Sequence, residues 1–378
     1  MIFSNGMVFM EDGHFHNRTI ITQDSVIDSL LTFSPPSPDY DLNGCLVIPG
    51  LIDTHFHGCY GADFSDGTIQ ALTTICQYEL SQGITSLVPA TMTLPLPALE
   101  QCMRTLCAYH AHPSNTLCAD IVGAYLEGPF LSREKAGAQS PEYLRLPDIS
   151  LFEHLQILSG NNICTVALAP ELHGIDDFLS YLQRTLVTGS IAHTSSDAST
   201  VQAAFAHGIR RVTHLYNAME CPEIILNTAA HYPDCMVELI CDGIHVSSDR
   251  VRHVFDVLGP DRVILISDSM RATGLGDGIS SLGGQEVNVH GRYATLSNGR
   301  KAGSVVTLYD CFLTALSMDI PLECAVKAVT HNPAKNLNST KDIGYIRPGA
   351  VADFLVLTPD YSIQTIVKNG RFITSSAL

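Results

Sequence analysis

Histidines and carboxylates stand at the ends of apolar runs in this sequence, the pattern a hydrolytic metal centre needs. His55 and His57 close the run that begins at Val47. Residues two apart on a strand face the same way, so both imidazoles can meet one borderline-soft cation, although such a pair alone reads equally well as polar surface. Glu127, in Tyr125-Leu-Glu-Gly-Pro-Phe130, ends another run, and the Gly-Pro step stops the strand right after it. A glutamate there is a metal ligand or a loop acid. His193 closes Ser190-Ile-Ala, and His214 closes Arg211-Val-Thr. Two histidines and a glutamate form a ligand set that leaves one coordination position open for water. Asp268 ends the continuous apolar run Ile264-Leu-Ile-Ser. It is either a helix N-cap or, beside an activated water, the group that takes a proton and returns it to a departing amine. His245, in Cys241-Asp-Gly-Ile-His-Val246, lies just past a run end, where a ligand, a substrate contact or a surface residue all fit. A side chain there reaches over the pocket mouth, which favours substrate contact.

The elements that must position these groups follow from the spacing of the runs. Eight short β-rich segments can be counted: Val47–His57, Thr85–Ala90, Ile121–Glu127, Ile163–Ala169, Ser190–His193, Arg211–His214, Val237–Asp242 and Val263–Asp268. Between them lie stretches of helical spacing, including Ile69–Gln82, Leu94–His110, Ile175–Leu186, Ser199–His207 and Val251–Leu258. Alternating strand and helix predicts an α/β fold, a (β/α)8 TIM-type barrel, and all the candidate residues then fall on the C-terminal face where such barrels build active sites. Met1–Cys45 and Gly344–Ile373 alternate apolar and polar residues between turn signals. They predict a small β-sandwich domain assembled from both termini, with residues 1–48 and 344–378 flanking a catalytic barrel at 49–343.

Composition narrows the function classes. With 38 acidic against 21 basic residues, the formal charge of −17 disfavours nucleic acid and anionic membranes as partners. No stretch nears the roughly 18 apolar residues of a membrane span, and no secretory pattern opens the chain, so a cytoplasmic enzyme is expected. The 12 cysteines are scattered singly and read as reduced packing residues.

Taken together, Pro49-Gly-Leu-Ile-Asp-Thr-His-Phe-His-Gly58, Leu126-Glu-Gly-Pro-Phe130, Thr213-His-Leu-Tyr-Asn-Ala-Met219, Cys241-Asp-Gly-Ile-His-Val246 and Ser267-Asp268 resemble the N-acetylglucosamine-6-phosphate deacetylases of the amidohydrolase superfamily. The tail Gly344-Tyr-Ile-Arg-Pro-Gly-Ala-Val-Ala-Asp353 fits the same resemblance, which covers nearly the whole chain. It implies release of acetate from an N-acetyl amino-sugar 6-phosphate, of gluco or galacto configuration, and a homodimer. The rivals are a deacetylase of an unphosphorylated or other N-acyl amino sugar, and a non-catalytic sugar-binding relative. The resemblance also implies metal ligation by Glu127, His193 and His214, with Asp268 as acid and base. Zinc is the expected divalent metal, with iron as the alternative and a second site through His55 and His57. Substrate contacts are implied for Asn217, Ala218, His245, Ala138, Gln139, Ala302 and Gly303. Two departures stand out. Gln139 occupies the place of a usual histidine, and Glu220-Cys-Pro-Glu-Ile-Ile-Leu-Asn-Thr228 lacks the arginine that usually helps bind phosphate. Arg133, Lys135, Arg271, Arg300 and Lys301 are the candidates to replace it.

Overall fold

The computed structural model describes residues 1–111, 118–337 and 341–373. Its barrel strands are Leu51–Phe56, Ile84–Pro89, Asp120–Ile121 with Ala124–Leu126, Ile163–Leu168, Thr188–Ile191, Arg211–Val212, Met236–Ile240 and Val263–Ile266. Neighbours run parallel throughout. The first two strands are buried at every position, as expected of parallel strands covered on both faces by other layers. The ring closes where the backbone N–H of Asp268 donates to the carbonyl of His55 at 3.0 Å, which ties the eighth strand end to the first.

Two runs that read as continuous are broken. Leu46–Pro49 leaves the barrel and pairs antiparallel with Phe354–Leu357, while Leu51–Phe56 enters the barrel. Gly50 makes the break practicable, because a Cβ there would sit 2.2 Å from Thr85 Oγ1. The third run also splits. Asp120–Ile121 pairs with the second strand and Ala124–Leu126 with the fourth, while an isolated bridge from Ala90 to Tyr125 spans the gap. Gly123, between the two parts, lies where a Cβ would come within 2.7 Å of Cys164 Sγ.

Helices follow the strands around the barrel, and several begin on a side chain that accepts from the first turn: Thr68, Asp148, Asp197 and Thr307. The two ends of the chain join in one sheet. Its order runs Arg371–Ile373, Ile363–Lys368, Phe354–Leu357, Leu46–Pro49, Ile2–Phe9, Phe15–Gln23, Val26–Leu31, with Tyr40–Asp41 off the path beside Ile2–Phe9. Phe3, Val8, Ile20, Phe354 and Val356 form its core. The buried Lys368 ammonium lies 2.6 Å from Asp353 and 2.9 Å from Asp120, so an ion triad couples this sheet to the third barrel strand.

One element was not foreseen. Beyond the eighth strand, Gly278–Leu282, Gln285–His290 and Tyr293–Leu296 form an antiparallel flap. Its apolar face, with Leu282, Val287, Ala294 and Leu296, packs on Met92, Met270 and Ala302. All 12 cysteines are free, and among the described residues no helix is long and apolar enough to cross a membrane.

Candidate active site

Three of the chemistry-bearing residues share a strained backbone. His193, His214 and Asp268 have φ of +43°, +27° and +47°, a left-handed conformation that costs a non-glycine residue of order 1–3 kcal/mol. Each stands two residues beyond the end of its barrel strand, and the reversal turns its side chain over the mouth of the barrel. The conformations are held by specific bonds. The Asp268 carbonyl accepts from Ser304 N–H at 2.8 Å, and the His193 carbonyl accepts from Ser132 N–H at 3.0 Å.

Their side chains converge on Glu127. Its Oε1 lies 3.2 Å from His193 Nε2, 3.1 Å from His214 Nε2 and 3.6 Å from His55 Nε2, while Oε2 lies 3.4 Å from His57 Nε2. Two potential metal-holding groups result, His55 with His57 and Glu127, and Glu127 with His193 and His214. Whether a cation fits can be judged from the far side of each ring. His55 Nδ1 is 3.0 Å from Glu238 Oε2, His57 Nδ1 is 3.2 Å from the Ala90 carbonyl, and His193 Nδ1 is 2.9 Å from the Lys135 carbonyl. Each of these three rings spends its Nδ1–H on an acceptor, so a neutral ring turns its Nε2 lone pair toward the carboxylate oxygens of Glu127. Lone pair against lone pair is repulsive unless protons or a cation lie between. Acceptors that orient the far side of ligating imidazoles are the usual second layer of a metal centre, and the residues fit one.

The electrostatics agree. Burial alone would depress the His55 pKa, but Glu127 and Glu238 on either side raise it well above the imidazole range. Burial would raise Glu127, yet His55, His193 and His214 hold it well below the carboxylate range. Asp268 is likewise kept low, despite burial, by a hydrogen bond from His57 at 3.2 Å and by the neighbouring imidazoles. The site calls for positive charge, whether protons or metal supply it.

A cavity of about 390 Å³ opens above these groups, in the range of small-molecule sites. His57, Glu127, His193, His214 and Asp268 line its floor, with Ala138, Gln139, Asn217, Ala218, His245 and Gly303 around them. His55 is fully buried beneath. Ala302 does not reach the cavity; it is buried in the apolar layer under the flap, with Gly303 next to it at the wall.

The amidohydrolase family model matches residues 46–373. An N-acetylglucosamine-6-phosphate deacetylase of Bacillus subtilis (strain 168) is 34% identical over 88% of this chain and 86% of its own. The chain belongs to the N-acetylglucosamine-6-phosphate deacetylase family of amidohydrolases. An N-acetylgalactosamine-6-phosphate deacetylase of Escherichia coli O157:H7 is 27% identical over 96% of both chains. A mutant N-acetyl-D-glucosamine-6-phosphate deacetylase of Mycobacterium smegmatis, solved in complex with N-acetyl-D-glucosamine-6-phosphate, superposes with TM-score 0.91 and 27% identity over 99% of both chains.

Within this deacetylase-family site, Gln139 does more than line the wall. Its amide nitrogen donates to Glu127 Oε2 at 2.8 Å, and its carbonyl accepts from Thr93 N–H at 2.6 Å, so it fixes the rotation of the shared carboxylate. Glu238 and Arg211 were missed by reading the sequence. Both are fully buried and paired at 2.6 Å, and Arg211 also donates to Thr54 at 2.5 Å below the His55 pair. An arginine and a glutamate set among apolar strand residues, Arg211-Val212 and Val237-Glu-Leu-Ile240, were the available signal, since such groups stay buried only when paired.

Glu171 was missed too. Its carboxylate accepts from Thr194 Oγ1 at 2.6 Å, Ser195 N–H at 2.7 Å, Ser195 Oγ at 3.0 Å and Ser196 Oγ at 2.7 Å. Thr194 N–H in turn donates to the Ala218 carbonyl at 3.1 Å, so one acid secures the loops carrying His193 and Asn217. Glu171→Ala is expected to weaken metal retention about 10–100-fold, the usual effect of removing a group that orients a ligand. Competition with a graded chelator measures it, and an unchanged affinity would refute the positioning role.

Proposed function

We propose that this chain hydrolyses the acetamide of an N-acetyl amino-sugar 6-phosphate, giving acetate and the amino-sugar phosphate. The observation that carries the reading is the meeting of Glu127, His193, His214 and Asp268 at one cavity floor, in a chain of this family. A divalent metal held by Glu127, His193 and His214, zinc in this reading with iron as the alternative, supplies Lewis acidity to the attacking water and to the carbonyl oxygen. His55 and His57, with Glu127, form the second candidate group.

Asp268 moves the proton. Its carboxylate lines the cavity and is held in the ionised state, so it accepts a proton from water as the oxygen adds to the acetamide carbonyl carbon. The C–N bond then breaks, and Asp268 returns the proton to the amine nitrogen. His57, 3.2 Å from Asp268 Oδ1, fixes the carboxylate between the two transfers. Asn217, Ala218 and His245 at the wall hold the sugar phosphate in this reading. A homodimer and a cytoplasmic location belong to the same proposal.

The stretch after Met219, which contains no arginine, favours one second reading, a deacetylase of unphosphorylated N-acetyl sugars. Acetate release from N-acetylglucosamine and N-acetylgalactosamine, each with and without the 6-phosphate, separates the two. Faster turnover of the phosphorylated pair is expected. Equal rates with and without phosphate would remove the phosphate from the substrate.

A further inference from the structure

We propose that Lys301 and Arg300, at the base of the flap, form with His245 an anion subsite in cis that binds a phosphate monoester on the substrate. The proposal deepens the deacetylase reading and rests on it.

The charges around the cavity are unevenly distributed. The chain as a whole is strongly acidic, and the acids lining the cavity are Glu127 and Asp268 at its floor and Glu134 beside Lys135 in the chain. The basic side chains lining the cavity are Lys135, Arg300 and Lys301. Lys135 is already neutralised in a salt bridge to Glu220, which stands directly after Met219. Arg271 is spent elsewhere, 2.6 Å from Asp66, and Arg133 does not line the cavity. Among the described residues, no carboxylate lies within 4.0 Å of Arg300 or Lys301. Two cations without a carboxylate partner therefore remain at the wall of the cavity, where they favour an anionic group of a ligand.

Their geometry suits a multivalent oxyanion. Lys301 Nζ donates to the Ile244 carbonyl at 2.7 Å, which uses one of its three protons and parks the ammonium beside His245. His245 directs Nδ1 to Asp242 Oδ2 at 2.7 Å, which leaves Nε2 for a ligand. Arg300 adds a planar fork of donors, the chemistry that matches phosphate oxygens in pairs.

The cations sit on a secured backbone. Leu296 N–H donates to the Arg300 carbonyl at 2.8 Å, Asn298 Oδ1 accepts from Arg300 N–H at 3.0 Å, and Thr295 bridges to Lys301. The flap itself is pinned to the loop after Glu127 by Gln285 Nε2, which donates to the Ala138 carbonyl at 2.5 Å. An anion bound here is thereby held at a fixed distance from the catalytic floor, which is what a specificity contact requires.

The test compares Lys301→Ala, Arg300→Ala and the double variant with the parent on N-acetylglucosamine 6-phosphate and on N-acetylglucosamine. Both side chains are exposed, so folding is not at stake. For the phosphorylated substrate kcat/KM is expected to fall on the order of 10–100-fold per residue, chiefly through KM, the size of a charge-assisted hydrogen bond. For the unphosphorylated sugar it stays unchanged, and Lys301→Arg restores part of the loss. Equal losses on both substrates, or none on either, would overturn the subsite. If the parent releases acetate from neither, the deacetylase reading fails, and calorimetry with inorganic phosphate still decides the subsite: binding lost in the double variant supports it, and binding unchanged refutes it.

Discussion

Asp268→Asn is expected to lower kcat by roughly 10²–10⁴-fold while the metal content stays that of the parent. The substitution keeps the shape of the side chain and an oxygen that can accept from His57, 3.2 Å away. It removes only the capacity to take up and return a proton. The backbone supports the same expectation, because the left-handed φ at position 268 is held by main-chain bonds to His55 and Ser304 that an asparagine keeps. Asparagine is also among the residues that tolerate that conformation best. A loss of turnover therefore reports the missing proton acceptor rather than a displaced loop. Steady-state kinetics beside elemental analysis checks it, and an active, metal-loaded Asn variant would defeat the assignment.

Much of this site was legible because barrel geometry turns sequence position into spatial position. An apolar run that ends in His or Asp names both a strand and the face on which the side chain emerges, so His57, Glu127, His193, His214 and Asp268 could be placed on one cavity before any coordinates. What the runs did not disclose were the groups that act through other groups. Glu171 lies on a loop after the fourth strand, and nothing in its neighbours marks it as the acceptor of four hydrogen bonds from another loop. Gln139 read as a loss, a neutral residue in the place of a histidine, whereas the fold makes it the donor that fixes Glu127. The flap was invisible for a different reason. Gly278–Leu282 does not alternate, and Gln285–His290, which does, stands beyond the eighth strand, where the strand-then-helix pattern of the barrel offers no place for it. Ala302 and Gly303 read alike in the sequence, yet a one-residue step puts Gly303 at the cavity wall and Ala302 in the apolar layer under the flap.

The largest loss of metal is expected from Glu127→Ala, because Glu127 is the residue that the two candidate groups share. Its oxygens face different partners: Oε1 meets His193, His214 and His55, and Oε2 meets His57 and the Gln139 amide. Removing it leaves Asp268, 3.2 Å from His57 and 3.9 Å from His55, as the carboxylate remaining at the floor, and a cation in either group loses the ligand that both groups share. The chain should then retain less than one equivalent of metal, and kcat/KM should drop by more than about 100-fold, beyond what disturbing an orienting group alone costs. His57→Gln provides the contrast. It strikes one group only, so it should reduce the metal bound through His55 and His57 while leaving about one equivalent on Glu127, His193 and His214, the set that completes a three-ligand hydrolytic centre. The pair of variants is informative because the two substitutions lie on neighbouring atoms of the same cluster, 3.4 Å apart, and differ only in whether both groups depend on the residue removed. Metal counted per chain after dialysis distinguishes them: a Glu127→Ala protein with a full complement would show that the carboxylate is not the shared ligand, and a His57→Gln protein with none would show that the two groups do not hold metal independently.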